Sequence, residues 1–272
     1  MKTLSRRHFA NLAAGVSISL SHAAPALALP SLAAAIASPL RTPKNVARNR
    51  YRHPLQILEF FGLRPTQTVL EIDPGAGYWT EILAPYLRPA GRYIAALPAG
   101  SSPESDRAWR FFLAKLAANP SAYNAVTVTT LGPTMAPPAS VDLVLCMRNL
   151  HDWMAEGSTA ENLAAIHTVL KPGGIFAIED HRAATTAPQD PRAKSGYVRQ
   201  DFAQNLIEQA GFRLLATSNL GANPRDTKSY PKGVWTLPPT LALGQTDRAK
   251  YLAIGESDRW TLKFIKSSPA LK

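Results

Sequence analysis

Cysteine is almost absent: Cys146 stands alone in 272 residues, which excludes an intramolecular disulfide and any cysteine-rich zinc site. Long apolar runs are missing as well, since no segment beyond the N-terminal thirty residues reaches the ~18 apolar residues that a membrane-spanning helix needs. Thirty Lys and Arg against nineteen Asp and Glu give a formal charge of +11, yet no five basic residues stand together. Interleaved charges of this kind describe a solvated basic surface and speak against dedicated nucleic-acid binding. No His-x-x-x-His pair is present and the carboxylates are not clustered, so the sequence points to no metal site. Glycine is outnumbered, sixteen to twenty-three prolines, which predicts stiff, irregular segments near the start and after residue 220. What the chain does have is 46% hydrophobic residues, enough for the core of one domain of about 200 residues with an appendage.

The first 28 residues contain no acid. Lys2, Arg6 and Arg7 precede the apolar stretch Ala10 to Leu20, and Ala-Leu-Ala at 26–28 is a small-residue cleavage site, so the segment reads as an export signal with a mature start near Leu29. Within it, SRRHF (Ser5 to Phe9) resembles the twin-arginine motif, an address read by a receptor on behalf of proteins exported already folded. That resemblance implies the twin-arginine export machinery as a partner and a periplasmic or secreted location, with no stable membrane span after cleavage. Residues 29–50, Ala/Pro-rich and then basic, read as a linker that docks late or stays mobile, ahead of a domain over 51–272.

From there the chain alternates. HPLQILEFFGL has helical spacing and stops at Gly62; strands are expected at 68–73, 92–97, 126–131, 141–147 and 175–180, and helices at 78–88, 105–118 and 159–170. FAQNLIEQAGF predicts another helix, and RLLATSNL and RWTLKFIK predict a sixth and a seventh strand. Strands separated by helices predict an α/β fold, a parallel sheet covered on both faces. Between the last two strands lies an insert, 221–257, too long for an ordinary connection. It is expected to pack over something, with Asn223, Asp226, Lys228, Tyr230 and Trp235 as the residues that would line a lid.

TVLEIDPGAGYWTEIL, Thr68 to Leu83, is an apolar run that breaks into Asp-Pro-Gly-Ala-Gly and resumes with helical spacing. A phosphate-cradling loop would end in Gly-Lys-Ser/Thr, and none follows Gly75. A dinucleotide turn needs a third glycine three residues after the second, where Thr80 stands. The remaining class passes under the methionine and ribose parts of S-adenosylmethionine, where a Cβ would strike the ligand or forbid the backbone angle. Val69 to Gly77 resembles motif I of the class I S-adenosylmethionine-dependent methyltransferases, with Glu71 in the acidic position, and LKPGGIFAIED (Leu170 to Asp180) resembles the turn and fifth strand of that fold. More narrowly, YRHPLQILEFFGL, RNLHDW, EDHRA, NPRDTKSYPKGVWTLPPT and AIGESDRWTLKF are similar to a group of bacterial, mostly exported proteins described as predicted methyltransferases. The resemblance implies a Rossmann-like seven-stranded sheet with helices on both faces, S-adenosyl-L-methionine as cofactor and a small-molecule methyl acceptor.

Two departures matter. Asp73 replaces the first glycine usual in motif I, and the second strand ends at Leu97 without the carboxylate that normally takes both ribose hydroxyls; Glu104 and Asp106 come too late. Losing one hydrogen bond to a charged group weakens binding by about 1.5–3 kcal/mol. Hence an alternative stays open: an exported ligand-binding protein that kept the fold and lost transfer.

In an open parallel sheet the ligand lies beyond the carboxyl ends of the strands, where Asp73 to Trp79, Arg148 to Trp153 and Asp180 to Arg182 should converge. Glu71, Asp73, Gly75, Gly77, Tyr78, Trp79, Arg148 and Asn149 are the cofactor-binding candidates. His151 and His181 are the candidate bases, because imidazole titrates near working pH; each could instead cap a loop. Asp152 could orient an imidazole or cap the following helix. Arg148 could hold a substrate carboxylate or pair with Asp180. Tyr78 and Trp79 could stack on adenine or the sulfonium, or fill the core.

Overall fold

The computed structural model describes residues 29, 31–100 and 102–267, so the expected export signal lies outside them. Seven strands, β1 (Thr68–Ile72), β2 (Arg92–Leu97), β3 (Thr127–Thr130), β4 (Val141–Met147), β5 (Leu170–His181), β6 (Phe212–Ser218) and β7 (Arg259–Lys266), form one sheet in the order β3-β2-β1-β4-β5-β7-β6. β1 to β5 are parallel, and β7 enters antiparallel between β5 and β6. The helices are α1 (Leu32–Ile36), α2 (Pro43–Val46), α3 (Asn49–Arg52), α4 (Pro54–Phe61), α5 (Thr80–Leu87), α6 (Pro103–Ala118), α7 (Pro120–Tyr123), α8 (Leu150–Glu156), α9 (Thr159–Val169), α10 (Gln200–Gln209) and α11 (Arg248–Ile254). None of them is long and apolar enough to cross a membrane.

The period of two along the strands divides the core in two. In β4, Leu143, Leu145 and Met147 pack with α4, α5 and Phe112 of α6, whereas Val144 and Cys146 pack with α8, α9 and α10. Both faces are covered, which is why β4 reads as a continuous apolar run instead of an alternation. Turn chemistry sets the helix ends. Pro54 begins α4 and Gly62, at φ 78°, ends it in the left-handed conformation; Ser102 accepts from the Ser105 amide (3.1 Å) and Pro103 follows it at the start of α6.

Three expectations change. The stretch expected to be a linker is folded as α1 to α3, and its basic residues are drawn inward by carboxylates remote in sequence. Buried Glu81 accepts from Thr42 (3.0 and 3.1 Å) and Lys115, with Arg41 3.9 Å away, while buried Glu256 pairs with Arg48 and Arg52. The helix expected to reach 170 stops at Val169, because Leu170 pairs with Val141 and starts β5 early. Finally, α8 forms where no helix is expected: Leu150, Trp153 and Met154 give two turns one buried face. Asp152 therefore lies in the first turn of α8 and caps nothing.

The insert closes on itself at its base. Asp226 accepts from the Tyr197 hydroxyl (3.0 Å) and the Asp258 amide (2.8 Å), Asn223 Nδ2 donates to Ile254 O and Glu256 O, and Lys228 lies 3.0 Å from Asp258. This anchorage leaves the far part of the insert, around Trp235 and Thr240, to reach across the carboxyl edge of the sheet.

Candidate active site

At β1 and β4 the strand order reverses, and the connections leaving their carboxyl ends part to opposite sides, the usual ligand crevice of an open α/β sheet. Each strand is followed directly by a non-glycine residue with a left-handed backbone, Asp73 at φ 35° and Arg148 at φ 72°. Such conformations are uncommon outside glycine and tend to collect at functional sites. In β5, next to β4, Asp180 and His181 close the edge.

Asp180 is fully buried and organises the centre. Its Oδ1 accepts from the His181 amide (2.7 Å) and His151 Nδ1 (2.8 Å), and its Oδ2 from the His151 amide (3.1 Å). A carboxylate only accepts, so the proton of neutral His151 sits on Nδ1 and Nε2 is left as the free acceptor, 3.5 Å from Asp152 Oδ1. Burial alone would lower the His151 pKa, but the charge and hydrogen bond of Asp180, helped by Asp152, raise it above the ordinary value. His181, with its ring centroid 5.0 Å from that of His151 and its Nδ1 bonded to Ser257 Oγ, is driven well down by burial, then by His151 and Arg148. Two imidazoles side by side are thus pushed apart in basicity, a common arrangement in acid–base chemistry. Ligand atoms of His151, Asp180 and His181 lie within 4.8 Å of one another, a spacing that could hold a metal ion. Both Asp180 oxygens are already taken by N–H donors and Arg148 adjoins, so the donor set suits an orienting carboxylate better than a cation cage.

Two cavities flank the start of α8 and share Asp152. One, of about 210 Å³, is lined by Asp73, Pro98, Ala99, Gly132, Asn149, Asp152, Glu156 and Glu161 among others and is acidic. Burial raises Asp73, and it raises Asp152 to about 6, with Asp180, Asp73 and Glu156 opposing the downward pull of His151. The other, of about 160 Å³, is lined by Arg148, His151, Asp152, His181, Val234, Trp235, Pro238, Pro239 and Thr240. The insert therefore walls the histidine pair, with the Trp235 ring centroid 5.9 Å from that of His151. A wider cavity of about 580 Å³ opens behind Ser257, between Arg50, Arg225 and Arg259, and shares no lining residue with these two.

No protein-family model matches the chain, and no curated protein matches it. Solved structures do. A SAM-dependent methyltransferase from Aquifex aeolicus is similar over 87% of this chain and 98% of its own, with a TM-score of 0.56 and 17% identity. The fold is that of the class I methyltransferases. The [4+2]-cyclase SpnF matches over 79% of this chain and 80% of its own (TM-score 0.55, 15% identity). Phosphoethanolamine N-methyltransferase 2 of Haemonchus contortus matches over 80% and 53% respectively (TM-score 0.53, 16% identity). At such identities the likeness describes the class I methyltransferase fold and leaves the reaction open, as the cyclase illustrates.

Within that fold the candidate residues divide. Asp73 and Asn149 line the acidic cavity; Arg148, His151 and His181 line the basic one. Gly75, at φ 52°, has nothing within 4 Å of where a Cβ would stand, so its face is open to a ligand. Gly77 is different: a Cβ there would lie 2.5 Å from Lys115 Cε, so this glycine makes room for a side chain of α6. Glu71 lies beneath the turn, accepting from Tyr93 and Thr80, and burial lifts it to about 7. Tyr78 and Trp79, candidates for stacking on a ligand, are instead packed edge to face in the core. The guanidinium groups of Arg41, Arg48 and Arg52 surround the Tyr78 ring, and its hydroxyl donates to Asn49. Arg148 does not pair with Asp180, whose acceptors His151 and His181 occupy. Sequence reasoning missed Asp180 as the residue that orients His151, and Ser257, Glu156 and Glu161 altogether. The first was signalled by its place beside His181 at a strand end; the others carry no local signal.

Proposed function

We propose that the protein is an S-adenosylmethionine-dependent methyltransferase acting on a small molecule, of the exported predicted-methyltransferase kind, carried by the twin-arginine machinery to the periplasm or beyond. The observation that carries the reading is the buried Asp180–His151 pair, which fixes a base at the mouth of one cavity while Asp152 joins that cavity to the acidic one beside the glycine turn.

The acidic cavity is the one assigned to the cofactor in this reading. Its carboxylates suit the hydroxyl groups and positive charge of S-adenosylmethionine, and Asp152 and Glu156 of α8 and Glu161 of α9 offer the acceptors that the end of β2, with Pro98 and Ala99, does not. When bound, this cofactor supplies a methyl group whose bonding electron pair stays with sulfur as it leaves. The chain's own work is to align and to exclude water, by which a fixed geometry removes most of the entropic barrier. His151 Nε2 takes the acceptor's proton, and Asp180 holds the ring in the required tautomer and stabilises the imidazolium so formed. His181, kept neutral, adds no competing charge.

Titration calorimetry of S-adenosylmethionine and its demethylated product into the chain tests the reading. Micromolar binding of both, weakened by Asp73→Asn, is the expected result; no heat at millimolar ligand overturns it. The second reading, a binding protein without transfer, is favoured by Asp73 in the turn and by Lys115 filling the space at Gly77. It predicts binding with no methylated product from any acceptor. Export is tested separately: replacing Arg6 and Arg7 by lysine should retain the chain inside the cell.

A further inference from the structure

The basic cavity has a charge with nothing to answer it. Among the described residues the Arg148 guanidinium makes no hydrogen bond or ion pair, and its Nε is buried without a partner. The carboxylates around it are engaged elsewhere: Glu256 with Arg48, Arg52 and Arg259, Glu179 with Arg259 (2.9 Å), and Asp180 with His151 and the His181 amide, while Asp152, which lines the same cavity, stands 3.5 Å from His151 Nε2. Glu256 and Glu179 are thus taken up by Arg48, Arg52 and Arg259, and Arg148 is left without a direct partner. Surplus buried positive charge is costly unless an anion completes it. Burial pushes Arg148 down from its ordinary value, with Arg48 and Arg259 adding to the shift and Glu256 and Glu179 opposing it.

The same cavity holds His151 with a free Nε2 and, beside it, the partly exposed Trp235 ring. We infer that the molecule this cavity takes is a small planar carboxylic acid, its carboxylate seated on the Arg148 guanidinium, its ring against Trp235 and its hydroxyl facing His151. The inference rests on the reading of this cavity as the acceptor site and names the class of acceptor. Arginine is suited to the task because its planar fork matches a carboxylate in a bidentate way, and the flat indole favours a ring over a flexible chain.

The probes are 4-hydroxybenzoate and phenol, which share ring and hydroxyl and differ in the carboxylate. Binding to the full chain is followed by calorimetry, with and without S-adenosylhomocysteine. The acid should bind at least ten-fold more tightly than phenol; Arg148→Met should bring the two within about two-fold while leaving S-adenosylhomocysteine affinity unchanged, and Arg148→Lys should keep part of the preference. Equal binding of the two probes by the wild type overturns the inference, and this arm stands even where Arg148→Met does not fold. A preference that survives Arg148→Met overturns it too, as does a variant that instead loses S-adenosylhomocysteine, since Arg148 would then serve the cofactor's own carboxylate. Acid preference without any S-adenosylhomocysteine binding would remove the methyl-transfer reading and leave the acid site standing.

Discussion

The two cavities beside α8 share Asp152 yet carry opposite charge. On the side of β1 and β2, Asp73, Asp152, Glu156 and Glu161 line one cavity, and burial pushes Asp73 and Asp152 toward protonation. On the side of β5, burial pushes Arg148 and His181 toward losing their protons, whereas Asp180 and Asp152 hold the His151 proton more firmly. Under the proposed function, the carboxylates would face a cationic cofactor and Arg148 an anionic acceptor.

The sharpest way to break this comparison is to remove the base between the two sides. His151→Gln should lower turnover by about 10²–10⁴-fold, the usual contribution of a positioned base, while calorimetry shows cofactor affinity unchanged. Equal loss of both would assign His151 to the cofactor side. Next in size is Glu71, beneath the acidic side. Its pKa is raised from 4.5 to about 7, chiefly by burial, so the folded protein binds a proton that the unfolded chain has released between those values. Stability should therefore fall as pH rises from about 4.5 through about 7, by about 3 kcal/mol in all. Glu71→Gln should flatten this slope in urea unfolding, gaining over wild type at pH 8 and not at pH 4.

How much of this was legible in the sequence depends on how far a residue's partner lies along the chain. β1, β2, β4 and β7 follow from apolar runs and turn residues nearby, and the seven-stranded sheet follows from their alternation with helices. The same local pattern places His181 at the end of its strand, because a strand's carboxyl end is marked by where its apolar run stops; His151, expected at the end of the neighbouring strand, stands instead in the first turn of α8. That pattern says nothing about Tyr78, which follows the glycine turn as a ligand-stacking residue would. Its ring is turned into a nest of arginines held by Glu81 and Glu256, the latter more than 200 positions from Arg48 and Arg52. Arg41 to Arg52 look like a solvated basic linker for the same reason. Ser257 meets His181 across 76 residues, and no spacing rule anticipates it.

Asp152 sharpens the comparison, since it borders both cavities. With a pKa of about 6, it loses its negative charge as pH falls below that value, so affinity for S-adenosylmethionine should drop by about ten-fold between pH 7.5 and pH 5, or about 1.4 kcal/mol. Asp152→Asn should bind at the weaker level throughout, with this step removed. A step that persists in the variant would move the titration to Asp73, on the cofactor side alone.

The smallest expected effect concerns the insert. Trp235 contributes a wall of the basic cavity and none of the acidic one, and the base of the insert is anchored elsewhere, at Asp226, Asn223 and Lys228. Trp235→Ala should therefore leave the fold and cofactor affinity intact while weakening the planar acid by about two- to ten-fold, the range of one aromatic contact of about 0.5–1.5 kcal/mol. The loss should appear in KM for the acceptor and hardly in kcat, because the ring touches the bound acid equally before and during transfer. A fall in kcat with KM unchanged would mean that Trp235 acts by holding His151, whose ring it borders, and the insert would then belong to the catalytic centre instead of covering it.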